Sequence, residues 1–235
     1  MNIKKFKGFL SQASIVRRLK GSVVNMFLQK KAYHPRVVEL PFVFRRLRVP
    51  LGSKILDFGC NESLLSIELA SMGYNVTGID LHDYKFKHPN FSFVNGDICG
   101  QFEPESFDAV IAVSSIEHTG LGAYGEKSFN EGDKIVLNEI YRILKEEGQL
   151  LLTVPFGRRY QGKWYRVYDS EALPYLLSNL HIVSEEYYCR IDGKFWIPVR
   201  KQDLYDMPSG DEEDNPYETE NGVALIDARK IDTGK

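Results

Sequence analysis

A short run from Lys54 to Ser63, KILDFGCNES, constrains the fold of this chain more than any other stretch. Ile55 and Leu56 are typical of a buried strand, which ends in an acid, Asp57, before a tight turn at Gly59 and the start of a helix. The first N–H groups of a helix have no partner within it, so they suit a polar or anionic ligand. The run therefore predicts an α/β domain with a ligand site at its first strand–turn–helix unit.

The chemistry of this turn favours a ligand with a positive charge at one end. A dinucleotide-binding loop has glycines in the pattern G-x-G-x-x-G, whereas Asn61 and Ser63 stand where further glycines would be expected. A carboxylate at Asp57 would repel a pyrophosphate, but it suits the amino group and sulfonium of S-adenosylmethionine. The loop by itself leaves both classes of ligand open.

Strands and helices alternate through the chain after this turn. Strands are predicted at 54–58, 75–81, 91–94, 107–114, 149–154 and 182–190, with helices at 63–71, 134–145 and 170–178. The nearly continuous apolar run FDAVIAVS at 107–114 is typical of a strand buried on both faces. This order predicts a doubly wound, mostly parallel sheet. A last strand at 223–230 has no clear crossover helix before it, so we expect it to pair antiparallel.

The two ends of the chain differ in composition from this domain. Residues 1–50 contain no acid before Glu39 and combine basic and apolar residues at loosely helical spacing, which predicts a basic helical extension. Residues 1–35 could lie on an anionic membrane surface, or could pack their apolar stripe on the domain with the charges in water. Residues 51–235 are expected to form one domain, interrupted at about 198–221 by an acidic insertion that contains DEED at 211–214.

Composition narrows the class of protein and its compartment. A net charge of -2 gives no bias toward nucleic acid, which we do not expect as a partner. Cys60, Cys99 and Cys189 are widely spaced, which fits a reducing cytosol and disfavours a disulfide framework or a zinc site. No apolar run approaches the roughly 20 residues of a membrane span, and polar residues interrupt the N-terminal apolar stretch, so no signal peptide is predicted. The expected location is cytoplasmic, either free or at the inner membrane surface.

Polar residues collect where the predicted strands end. Asp57, Asp80, Asp97 and Ser114 close the first four strands, and ligands of open α/β sheets bind at that edge. Asp80 follows Asp57 by 23 positions, which suits an acid that accepts hydrogen bonds from ribose hydroxyls. Asp97 can accept one from an exocyclic amine such as adenine N6. Each acid alone is equally consistent with a cap or a turn, but together they predict one ligand along the edge.

Four motifs over about Lys54 to Val154 resemble those of class I S-adenosylmethionine-dependent methyltransferases: ILDFGC, VTGID, NGDI and FDAVIAVSSIEH. The resemblance implies a Rossmann-like, mostly parallel seven-stranded sheet whose last strand is antiparallel. It implies S-adenosyl-L-methionine as cofactor, and cofactor-binding roles for Asp57, Gly59, Cys60, Asn61, Asp80, Leu81, Asp97, Ile98 and Ser114. The sequence departs from the family at Asn61 and Ser63, although Asn tolerates left-handed backbone. The segments SSIEHTGLGAYGE and VPFGRRY look most like those of methyltransferases in glycan and small-molecule biosynthesis.

Methyl transfer to a hydroxyl requires a base, because the acceptor must lose its proton. His118, beside Glu117, is the candidate for this catalytic role, and the alternative is that it shapes the cofactor pocket. A metal site built from His118, Glu117 and Glu126 is conceivable, but no metal is expected.

Aromatic and basic residues after the fourth and fifth strands are the candidates for acceptor binding: Tyr124, Arg158, Trp164 and Arg166. They could stack on a sugar ring or bind a phosphate, and Trp164 could instead belong to a lid or a subunit contact. We therefore predict O-methylation of a small-molecule or glycan hydroxyl. Two alternatives are a nicotinamide-dependent oxidoreductase on a similar sheet and a non-catalytic protein that retains the methyltransferase fold.

Overall fold

The computed structural model of the chain describes residues 34–61, 63–125, 127–191, 195–205, 207 and 222–231. Most of the predicted basic extension and of the acidic insertion lies outside this part of the chain. The domain boundaries and a membrane contact through residues 1–35 therefore stay predictions. None of the helices within the described residues is both long enough and apolar enough to cross a membrane.

The described residues contain four helices and ten strands, two of which are only two residues long. In chain order they are α1 (Arg36–Arg46), β1 (Lys54–Phe58), α2 (Leu65–Ser71), β2 (Asn75–Asp80), β3 (Phe91–Asn95), β4 (Phe107–Val113), a 3-10 turn (Ile116–His118), α3 (Gly132–Ile143), β5 (Leu144–Pro155), β6 (Tyr160–Gln161), β7 (Arg166–Val167), α4 (Ala172–Leu176), β8 (His181–Ile191), β9 (Phe195–Val199), a second 3-10 turn (Lys201–Leu204) and β10 (Gly222–Arg229).

The main sheet has the strand order β3-β2-β1-β4-β5-β10-β8-β9. Strands β1 to β5 are parallel, and β10 lies antiparallel between β5 and β8. This confirms the doubly wound, mostly parallel sheet and its antiparallel last strand. The chain leaves β1 toward β2 and β3 and then returns to place β4 on the other side of β1. The ligand-binding switch point of such a sheet therefore lies between β1 and β4.

The prediction of seven strands is short by one. Strand β9 pairs antiparallel with β8 at the edge of the sheet, in a segment whose end was assigned to the acidic insertion. Pro198 lies within β9 and cannot donate to a ladder, so proline in a sequence argues against a central strand. At an edge its missing N–H costs nothing, which explains why this strand forms and why its signal is weak.

Both faces of the sheet are covered, as the apolar run of β4 predicts. Val110 and Ala112 pack into a core on the face covered by α3, whereas Ala109 and Ile111 pack into a core with Phe42 of α1 on the other face. Full burial of a side chain such as Phe42 contributes roughly 1.5–3 kcal/mol. Helix α1 thus packs against this face of the sheet.

A buried glutamine fixes the carboxyl end of α1 to the sheet. Gln149 of β5 donates to the carbonyl oxygen of Arg46 at 2.9 Å and to Asp227 of β10 at 2.8 Å, and it accepts from the N–H of Arg48 at 2.9 Å. Arg46 also contacts Glu186 of β8 at 2.8 Å. These contacts hold α1 across β5, β10 and β8.

Candidate active site

The loops after β1 and β4 touch at the switch point. Gly59 has a φ of 72°, and its N–H donates to the carbonyl oxygen of Ile79 at 2.9 Å. A Cβ on Gly59 would lie 2.7 Å from the Cβ of Ser115, closer than real side chains approach. Positive φ and this contact together require glycine, so the tight turn predicted from the sequence has two physical causes.

Asp80 joins the loops that follow β1 and β2. One carboxylate oxygen accepts the N–H of Asn61 at 2.9 Å, and the other accepts the N–H of His82 at 2.9 Å. A carboxylate has further lone pairs, so it can still accept hydrogen bonds from a ligand. The next residue, Leu81, exposes 41% of its surface beside it. This acid and its apolar neighbour both lie at the carboxyl edge, where the sequence predicts them.

The other predicted cofactor residues at this end of the sheet differ in accessibility. Asp97 is exposed and accepts the N–H of Cys99 at 2.8 Å, so it caps a local turn. Ile98 is buried and packs in the core. Cys60 is also buried, with its Sγ only 2.8 Å from where a Cβ on Gly78 would lie, and burial raises the pKa of its thiol. The side chain of Cys60 therefore points into the sheet.

Asp57 lies beneath the loop rather than on its surface. Its side chain accepts a 2.6 Å hydrogen bond from the hydroxyl of Ser66 on α2, and the residue is 3% exposed. Burial raises the pKa of Asp57 to about 6, while the bond from Ser66 and the positive charge of Arg36 partly oppose this rise. This carboxyl can therefore change charge near neutral pH.

Two residues of α1 reach the same edge and were not predicted from the sequence. Glu39 is fully buried, and one of its oxygens accepts the hydroxyls of Ser114 at 2.5 Å and Thr153 at 2.7 Å. Arg36 donates to the carbonyl oxygen of Val113 at 3.1 Å, and its Nε lies 4.0 Å from the other oxygen of Glu39. The hydroxyl of Ser114, predicted to contact the cofactor, thus binds α1. The only feature of the sequence that marked Glu39 is that it is the first acid of the chain.

His118 lies at the end of the 3-10 turn after β4, with its Nδ1 2.5 Å from the carbonyl oxygen of Trp164. A carbonyl oxygen only accepts, so Nδ1 carries the hydrogen and Nε2 of the neutral ring carries the lone pair. Nε2 lies 3.8 Å from Glu117, whose side chain is fully buried, whereas that of His118 is 20% exposed. The structure thus places His118 at the edge of the site and Glu117 behind it.

Aromatic rings line the opening next to His118. The ring of Tyr124 makes edge contacts with those of His82 at 5.9 Å, His118 at 5.5 Å and Trp164 at 6.2 Å, measured between centroids. Tyr124 and Trp164 are nearly half exposed. The group extends from the loop after β2 to the hairpin of β6 and β7, and its exposed faces can stack on a flat or ring-shaped molecule.

The two arginines predicted to bind substrate lie in different environments. Arg158 is exposed after β5, and its N–H donates to the carbonyl oxygen of Met207 at 3.3 Å. Arg166 is buried beneath the turn of His118, where it faces Asp133 and backbone carbonyls. We therefore correct its assignment from substrate binding to a contact within the protein. An arginine among aromatic residues looks the same in sequence whether it binds a ligand or a buried aspartate.

The conceivable metal site cannot be built from the residues that the structure describes. Glu126 lies outside them, and no group of three or more His, Cys, Asp or Glu side chains within the described ranges is arranged to hold an ion.

Residues 56–152 match a family model described as a methyltransferase domain. The ubiquinone biosynthesis O-methyltransferase of Schizosaccharomyces pombe is 27% identical over 190 residues, which cover 71% of this chain and 66% of that protein. The protein of the same name from Xanthomonas campestris is 36% identical over 101 residues, which cover 38% of this chain and 42% of that protein. The chain therefore spans between 42% and 66% of the length of these two curated relatives.

Solved structures share the same architecture at low sequence identity. A SAM-dependent methyltransferase from Methanosarcina mazei has a TM-score of 0.55 and 17% identity, with coverage of 81% of this chain and 97% of that one. At this identity the likeness is one of fold.

Proposed function

Since this chain belongs to the class I S-adenosylmethionine-dependent methyltransferases, we propose that it transfers the methyl group of S-adenosyl-L-methionine to a hydroxyl of a small molecule. The names of the curated relatives, O-methyltransferases of ubiquinone biosynthesis, support oxygen as the methylated atom. One contact in the site supports it independently: the bond from His118 to Trp164, which leaves Nε2 able to accept a proton.

The residues at the carboxyl edge have the chemistry to hold this cofactor along its length. In our proposal Asp80 accepts ribose hydroxyls, Leu81 covers a face of the adenine ring, and Asp97 accepts from the exocyclic amine. At the other end, Asp57 binds the amino group and Arg36 of α1 binds the carboxylate. The opposed charges of Asp57 and Arg36, close enough to affect one another, match those of an amino acid.

Bound S-adenosylmethionine supplies a methyl carbon already activated by the sulfonium, so the protein has to orient the acceptor and remove its proton. We assign proton removal to Nε2 of His118. Glu117, 3.8 Å from Nε2, then faces the imidazolium and stabilises its charge. Proton transfer by a positioned side chain typically contributes about 100- to 10,000-fold in rate.

We propose that the acceptor stacks on Tyr124 and Trp164, the half-exposed rings beside His118. An aromatic face binds either a sugar ring or an aromatic ring. The motifs after the fourth strand favour a glycan hydroxyl, whereas the names of the relatives favour a small molecule of ubiquinone biosynthesis. For either class of acceptor, His118 has to remove the proton of the hydroxyl that is methylated.

The test is transfer of label from methyl-labelled S-adenosylmethionine by the purified full-length chain. Two acceptor panels separate the classes: catechols and dihydroxybenzoates in one, and free and nucleotide-linked sugars in the other. Calorimetry with S-adenosylhomocysteine measures cofactor binding separately. Labelled methyl ether in either panel supports the proposal, and failure to bind S-adenosylhomocysteine would refute it.

His118→Gln tests the base within this experiment. We expect affinity for S-adenosylhomocysteine within about twofold of wild type and turnover lower by about 100-fold or more. His181→Gln is the matched control, because His181 is exposed at the start of β8. Wild-type turnover in His118→Gln would remove His118 from the reaction.

A further inference from the structure

We infer that Arg166 is a positioning residue, which holds the turn of His118 so that the imidazole keeps its lone pair on Nε2. The inference uses the proposed function only for the role of His118. The arrangement of the turn itself rests on contacts that can be measured without any substrate.

Arg166 binds the backbone on both sides of His118. Its Nη1 donates to the carbonyl oxygen of Glu117 at 3.3 Å and to that of Thr119 at 2.7 Å. One cationic group thus bonds the residues immediately before and after the histidine. Hydrogen bonds from a charged donor are about twice as strong as neutral ones, and the buried position of Arg166 keeps water from replacing them.

The guanidinium is itself fixed by an anion from another element. Its Nε lies 3.6 Å from Asp133 at the start of α3, and the hydroxyl of Tyr168 donates to the same Asp133 oxygen at 2.9 Å. The side chains of Arg166 and Asp133 are only 9% and 14% exposed. A buried charge without its partner is costly, so Asp133 and Arg166 hold each other in place.

The same hairpin supplies the acceptor of the imidazole hydrogen. Trp164, two residues before Arg166, presents the carbonyl oxygen that accepts from Nδ1 of His118. The hairpin therefore contacts the turn twice, through the backbone beside His118 and through its ring. Arg166 fixes the position of the turn relative to the hairpin. It therefore also determines whether the Nδ1 hydrogen of His118 reaches the carbonyl oxygen of Trp164.

The far side of the turn is packed without any side chain between the two backbones. A Cβ on Gly132, in the first turn of α3, would lie 2.6 Å from the carbonyl oxygen of Thr119 and 2.7 Å from the Cα of Gly120. The turn is thus held between α3 and Arg166. Loss of the arginine would release one side only, so we expect it to reorient His118 rather than unfold the domain.

The test measures the tautomer of His118 by long-range proton–nitrogen NMR on the full-length chain at pH 8, with the signal assigned by its absence in His118→Gln. Wild type should show Nδ1 protonated. In Arg166→Met we expect most of this form to be replaced by the Nε2-protonated form, which an unconstrained imidazole prefers. Arg159→Met is the matched control, since Arg159 is exposed just before the same hairpin, and it should keep the wild-type signal.

A folded Arg166→Met that keeps the Nδ1-protonated form would overturn the inference. If this variant does not fold, Arg166→Met combined with Asp133→Asn removes both buried charges. The double variant should likewise show the Nε2-protonated form, and persistence of the Nδ1-protonated form would overturn the inference. Calorimetry with S-adenosylhomocysteine should show unchanged affinity in the folded variant. The tautomer is measured without any methyl acceptor. A failure of the proposed methyl transfer would therefore not affect the conclusion about Arg166 and His118.

Discussion

The carboxylate of Glu39, on the first described helix, accepts a 2.5 Å hydrogen bond from the hydroxyl of Ser114 at the end of the fourth strand. The two residues are 75 positions apart. Their contact brings α1 to the edge where the predicted cofactor residues collect, so part of the segment assigned to an N-terminal extension lies at the candidate site.

Replacement of Glu39 by alanine should destabilise the protein and weaken cofactor binding. Ser114 and Thr153 would both lose their acceptor inside the protein, which we expect to lower the free energy of unfolding by about 2–4 kcal/mol. Urea unfolding measures this loss, and Glu68→Ala, at an exposed position of α2, is the control. Because α1 carries Arg36, calorimetry should also show weaker binding of S-adenosylhomocysteine. A Glu39→Ala protein as stable as the control would contradict the structural role.

Asp80→Asn should weaken binding of S-adenosylhomocysteine by roughly 10- to 100-fold, because charge-assisted hydrogen bonds contribute about 1.5–3 kcal/mol each. The amide keeps the size of the side chain but has one acceptor oxygen, and two backbone N–H groups already use the carboxylate. Asp83→Asn, at an exposed position of the following loop, tests whether loss of charge alone has this effect. Equal affinities of the two variants would count against a ribose contact at Asp80.

Gly59→Ala and Gly100→Ala form a matched pair, since both glycines have a φ of 72°. Positive φ costs alanine roughly 1 kcal/mol at either position. A Cβ at Gly100 meets nothing within 4 Å, whereas at Gly59 it meets Ser115. We therefore expect Gly59→Ala to be less stable than Gly100→Ala by a further 1–3 kcal/mol or so in urea unfolding. Similar stabilities would mean that the loops after β1 and β4 can separate easily.

The sheet and the strand-end residues could be predicted from sequence because both depend on local patterns. A buried parallel strand is a short, mostly apolar run, and an acid marks its carboxyl end, as at Asp57 and Asp80. The residues that close neighbouring strands then lie together because parallel strands end at one edge of the sheet.

The positions that the sequence did not disclose depend on partners far away in the chain. Glu39 is a helix residue whose partner on β4 has no signal at a fixed spacing, and Arg166 meets Asp133 only after the hairpin folds onto α3. Strand β9 was missed for a local reason, since Pro198 disfavours strand everywhere except at an edge. Apart from β9, the features that the sequence did not predict are those that depend on long-range side-chain pairing.

The raised pKa of Asp57 predicts that cofactor binding releases a proton near pH 6. Burial raises this pKa from 3.8 to about 6, so the free protein holds the proton below that pH. A ligand amino group favours the carboxylate, and affinity for S-adenosylhomocysteine should rise up to about tenfold per pH unit below 6 and level off above it.

The free protein should show the opposite trend from this group. An acid whose folded pKa is raised stabilises the fold least when it is charged, so its contribution falls by about 3 kcal/mol as pH rises from 4 to above 6. Calorimetry at pH 6 in buffers of different ionisation enthalpy should give release of about half a proton per S-adenosylhomocysteine bound. Asp57→Asn cannot titrate and should abolish that release. Because His34 also lies near this edge, release that persists in Asp57→Asn would assign the proton to another group.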